Sequence, residues 1–104
     1  MGKIITILFL VLAFLGSSFG EETKRTKLGY LVCLTAEDVL KGRKIASQGD
    51  KLAFTKMIVQ TGRCNILKPG LEVYVMESRS KEGLVKIRLK GEVDTLWTDA
   101  DALE

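Results

Sequence analysis

Cys33 and Cys64 are the chain's only two cysteines, and they are the side chains with the clearest chemistry. Cys-x-x-Cys spacing, where one thiol tunes the other's pKa, is the redox pattern. These two stand 31 positions apart, so a structural disulfide is the better reading. Among 104 residues there is no histidine, which removes the commonest general base and the commonest metal ligand. Neither thiol has a base to make it a nucleophile. The remaining acid or base candidates are the neighbouring carboxylates Glu37 with Asp38 and Asp99 with Asp101. At a helix start or on a turn such pairs serve as caps and solubilising charges. Asp99-Ala100-Asp101 also lacks the remaining ligand positions of a calcium loop. No glycine-rich phosphate loop is present. The chain therefore reads as non-catalytic, with no cofactor and no metal expected.

Side chains suited to recognition remain. Tyr74 and Trp97 offer large rigid area with a polar handle. Lys86, Arg88 and Lys90 alternate along one segment, a ladder of cations on a single strand face. These five residues form the candidate binding surface.

The elements that must position them begin after an address. Lys3 precedes the apolar run Ile4 to Leu15, and Ser18 and Gly20 stand three before and one before a cut after Gly20. Residues 1–20 thus outline a secretory signal peptide. The run is too short for the ~20 residues that cross a bilayer as a helix, so no stable membrane span is expected after cleavage. Residues 21–104 then form a single domain with 15 basic and 13 acidic residues, a net charge of +2. So balanced a charge argues against a nucleic-acid partner. A periplasmic or secreted destination also favours oxidation of the two thiols. Closing a 32-residue loop contributes about 3.5 kcal/mol in the chain-entropy model.

Glu21 to Lys27 reads as a loose, charged arm and Leu28 to Cys33 as a short strand. Thr35 followed by Asp38 gives a helix start, predicting a helix over 36–47. Leu52, Ala53, Phe54, Met57, Ile58 and Thr61 recur at helical spacing and predict a second helix over 51–61. Residues 35–62 form a helical hairpin bracketed by the cysteines. From Arg63 the period falls to two, predicting strands over 63–67, 71–76, 84–90 and 93–98. Val85, Ile87 and Leu89 face inward there, while Tyr74 points outward.

The runs Gly70 to Glu77, Gly83 to Gly91, and Leu96-Trp97-Thr98 with Leu103 resemble a bacterial SH3-like barrel domain over about residues 63–103. The resemblance implies a small C-terminal SH3-like antiparallel β-barrel (63–104); with the N-terminal helical hairpin, which is not part of that pattern, packed on it, the expected fold class is α+β. The resemblance also implies a binding role through a shallow aromatic groove, directed at a cell-wall polymer or an envelope protein. The expected function is an exported binding or accessory module of the cell envelope. The alternative is a small, secreted, disulfide-stapled inhibitor or host-directed factor acting through its longest polar turn, Ser78 to Gly83.

Overall fold

The computed structural model describes residues 22–104. The signal peptide expected over residues 1–20 lies outside them. The elements run β1 (Lys24–Arg25), β2 (Leu31–Cys33), α1 (Ala36–Ser47), α2 (Lys51–Val59), β3 (Cys64–Ile66), β4 (Glu72–Arg79), β5 (Leu84–Leu89) and β6 (Thr95–Asp99). A 3₁₀ turn, Ala100–Ala102, follows. The strands make one antiparallel sheet in the order β1-β4-β5-β6-β2-β3.

The sheet curls because its ends are tied. After the 3₁₀ turn, Leu103 bridges Thr26. The Lys27 N–H donates to the Ala102 carbonyl at 2.8 Å, and the Glu104 N–H donates to the Arg25 carbonyl at 2.9 Å. The buried Thr26 hydroxyl donates to the Lys68 carbonyl at 2.6 Å and accepts from the Leu71 N–H at 2.9 Å. The result is a six-stranded, roughly barrel-like sheet.

Two expectations need correcting. The helical hairpin is not N-terminal to the β part, because it is inserted between β2 and β3, and β2 lies inside the sheet between β6 and β3. The arm is also not loose. Lys24 and Arg25 pair with Val73 and Glu72, so the β part draws strands from before the helices as well as after them.

Both helices start at a side-chain cap. Thr35 accepts from the Asp38 N–H at 3.1 Å, and Asp50 accepts from the Ala53 N–H at 3.0 Å. Between them Gly49 takes φ 72°, the left-handed conformation that stops α1. α2 ends at Val59, two residues short of expectation. Gly42 lets the helices close on the sheet, because a Cβ there would run into the Leu31 side chain and meet the Met57 methyl at 3.2 Å.

Apolar cores form on both sheet faces. Val32, Leu67, Val73, Val85, Ile87 and Ala102 fill the concave side. Cys33, Ala36, Val39, Met57, Cys64, Leu84 and Trp97 fill the side beneath the helices. The Cys33–Cys64 disulfide joins directly opposed residues of β2 and β3, with Cα atoms 4.0 Å apart. It closes the base of the hairpin.

Beside it, Arg63 reaches Asp38 Oδ2 through Nε at 2.9 Å and NH2 at 2.8 Å, and the Thr35 hydroxyl donates to the same oxygen at 2.9 Å. Desolvation pushes the Asp38 carboxyl up, but the Arg63 and Thr35 hydrogen bonds and the charges of Arg63 and Lys41 outweigh it. Its pKa therefore falls below the ordinary 3.8. A depressed folded-state pKa contributes stability that is present above the unfolded value and is lost as pH falls through the folded one. Asp38→Asn is accordingly expected to be less stable than wild type at pH 7. The gap in melting temperature between the two should close as the buffer is taken below about pH 4.

Candidate functional site

On the helix side of the sheet, register places the candidate residues in successive rungs. Tyr74 opposes Arg88, which opposes Thr95. Glu77 opposes Lys86, which opposes Trp97, which opposes Cys33. Arg79 opposes Leu84, which opposes Asp99. The register shifts between Val75 and Glu77, so Met76 is an extra residue in β4. That bulge keeps Tyr74 and Glu77 on one face although strict alternation would separate them. Lys90, just past β5, continues the series beside Glu72. All five candidate residues therefore share one face.

Their surroundings differ. α1 covers the Leu84 rung and reaches Trp97, which keeps 7% of its surface exposed and packs in the core with Val39, Leu84 and the disulfide. The Arg79 guanidinium lies 4.7 Å from the Trp97 ring centroid and the Lys86 ammonium 5.7 Å. Tyr74 lies beyond α1 and is half-buried. Of the two aromatic candidates, Tyr74 is the one a partner can reach.

The cations do not add up to a single-signed field. Lys86 pairs with Glu77 at 3.5 Å and Lys90 with Glu72 at 3.7 Å, while Arg79 lies 3.5 Å from Glu82 and 3.6 Å from Glu37. Exposed pairs of this kind contribute little to stability, but they neutralise one another's fields. Arg88 is different. Its guanidinium lies over the Tyr74 ring, 4.8 Å from the centroid, and donates through NH1 to the Glu92 carbonyl at 2.8 Å. Among the described residues it has no carboxylate partner, which leaves the rest of its fork of donors open.

A separate hollow includes Leu89 and Leu96, which pack on the concave core, and neither Tyr74 nor Arg88 lines it. Leu34, Leu89 and Leu96 line it with Glu92, Asp94 and Thr95. Compared with protein-family models, curated proteins and solved structures, the chain finds no match. Its function must therefore be read from this geometry.

Two long-range contacts carried no sequence signal. Arg43 donates to the Glu82 carbonyl at 2.7 Å, the Gly83 carbonyl at 3.0 Å and Asp99 Oδ2 at 2.7 Å. It pins α1 to the turn between β4 and β5. Ser78 to Gly83 is consequently no free protrusion: its first two residues belong to β4 and its last two are held by Arg43. The Arg63 to Asp38 contact is the other, joining residues 25 positions apart. Asp99 does act as a cap, accepting from the Asp101 N–H at 3.1 Å, whereas the Asp38 carboxylate accepts from the Thr35 hydroxyl and Arg63 and leaves the capping to Thr35.

Proposed function

We propose that the chain is an exported, non-catalytic binding or accessory module of the cell envelope, recognising wall material or an envelope protein through the face around Tyr74 and Arg88. In this reading the curled sheet is an SH3-like barrel carrying the helices as an insertion. A meander of β4, β5 and β6, then a 3₁₀ turn and a return to Thr26, supports it. The buried disulfide is compatible with an oxidising destination. Among the described residues, no helix is long and apolar enough to cross a membrane.

One observation carries the recognition role: a half-buried tyrosine ring under a guanidinium that has no carboxylate partner among the described residues. Aromatic and arginine side chains at the centre of a contact commonly dominate its binding energy. Arg88 supplies an open fork for a carboxylate or phosphate, and Tyr74 supplies apolar area.

Residues 21–104 contain every described element and are the form to test. Co-sedimentation with purified sacculi, and in parallel retention of a discrete protein from an envelope extract, reads the two arms of the proposal. Tyr74→Ala is expected to weaken the productive arm at least about tenfold, a loss of ~1.4 kcal/mol. Failure of both arms, or binding indifferent to Tyr74, would overturn it.

A further inference from the structure

α2 carries a face that neither the sheet nor α1 covers. Leu52 and Val59 are seven residues apart, so they project from the same side of the helix. Their surfaces are 67% and 73% exposed, and Thr55 and Lys56 complete the same face. Met57, on the opposite side, is buried. Beside the open face, Ala46, Gly49, Asp50, Lys51, Phe54 and Thr55 line a hollow that widens the apolar area.

Cations outnumber carboxylates on this face, where Lys51 and Lys56 stand beside one acidic residue, Asp50. Lys51 and Lys56 on α2, and Lys41 and Lys44 on α1, form no ion pair among the described residues. Of the carboxylates on these helices and their caps, Glu37 faces Arg79 and Asp38 is held by Arg63 and Thr35, while Asp50 caps α2 and forms no ion pair among the described residues.

We propose that α2 docks the protein onto the surface of an anionic lipid bilayer, with Leu52 and Val59 entering the headgroup boundary and the lysines lying against lipid phosphates. Apolar side chains on one face of a helix, flanked by lysines, are the pattern of interfacial binding. The composition favours lipid over protein as the occupant. Protein interfaces are depleted in lysine and enriched in arginine and aromatic residues, whereas this face offers flexible lysines beside leucine and valine. Position matters as well. α2 packs on α1 and on β3 at one edge of the sheet, and Tyr74 stands on β4, with β5, β6 and β2 between. The two surfaces share no residue, so this inference stands apart from the proposed function.

The test is co-sedimentation of residues 21–104 with phosphatidylcholine vesicles, with and without phosphatidylglycerol, at low and physiological salt. Binding is expected to require phosphatidylglycerol and to weaken with salt. The double variant Leu52→Ser/Val59→Ser should lower the partition coefficient at least about tenfold, and Lys51→Gln/Lys56→Gln should lower it too. Tyr74→Ala should leave it unchanged. These side chains are exposed, so the variants should keep the wild-type melting temperature, measured in parallel. No partitioning, equal partitioning into both vesicle types, or indifference to the double serine variant would overturn the proposal. A concentration-dependent dimer that the same serine variant dissolves would overturn it in favour of a second copy.

Discussion

Removing the Cys33–Cys64 bond, as Cys33→Ala/Cys64→Ala, is expected to lower the melting temperature of residues 21–104 by about 15–25 °C. The bond closes a loop that holds both helices, and in the chain-entropy model such a loop contributes about 3.5 kcal/mol by restricting the unfolded chain. That is a large part of the 5–15 kcal/mol that holds most domains together. The structure places the loss. Both cysteines are buried, 1% and 5% exposed, within the core that seats α1 and α2 on the sheet. The concave core of Val73, Val85 and Ile87 contains neither. Hydrogen exchange in the variant should therefore accelerate first in the amides of α1 and α2, with β5 protected longest. The double variant is preferable to reductant, which must reach a buried bond. A melting curve unchanged from wild type would show that the Arg63 to Asp38 contact and the β2 to β3 pairing already hold the hairpin without the covalent link.

What the sequence made legible depended on how local the cause was. The helix starts were readable because a cap acts within three residues, as Thr35 does on Asp38 and Asp50 on Ala53. The disulfide was readable because the hairpin must return the chain to its start. β5 was readable because Val85 and Ile87 face a core while Lys86 and Arg88 are only half-buried. β1 was not, since its two residues are the exposed cations Lys24 and Arg25, and its place is set by partners some 48 positions later. The segment ending at Cys33 reads as a strand but does not reveal its neighbours, because one of them, Trp97, lies 64 positions away. The face of Trp97 was illegible for a different reason. Alternation identifies a buried face only where the other face is wet. In β6, Trp97 packs under the helices while its neighbour Thr98, fully buried, turns its hydroxyl to the Leu31 carbonyl at 2.7 Å. With cores on both sides of the sheet, successive residues are both buried and the period carries no information.

That two-sided burial makes Trp97 the position where packing and recognition are most sharply separated. Trp97→Ala is expected to destabilise the fold by about 3–5 kcal/mol, the range for removing a large buried aromatic side chain. The indole fills the space between β6, Val39 and the disulfide, and its removal would also leave the Arg79 and Lys86 cations without the ring they lie over. Trp97→Phe should lose less, because a ring remains beneath both cations. Trp97 is the chain's single tryptophan, so its fluorescence reports this one environment. Emission should be blue-shifted in the native protein, should move to longer wavelength on unfolding, and should be unaltered by Tyr74→Ala. Sacculus or envelope-protein binding by folded Trp97→Phe should match wild type, since the proposed contact area is on Tyr74 and Arg88. The opposite pairing of results, with binding lost in Trp97→Phe at an unchanged melting temperature and retained in Tyr74→Ala, would mean that partners reach the indole by displacing Arg79 and Lys86. The recognition surface would then have to be moved one rung along the sheet, toward α1.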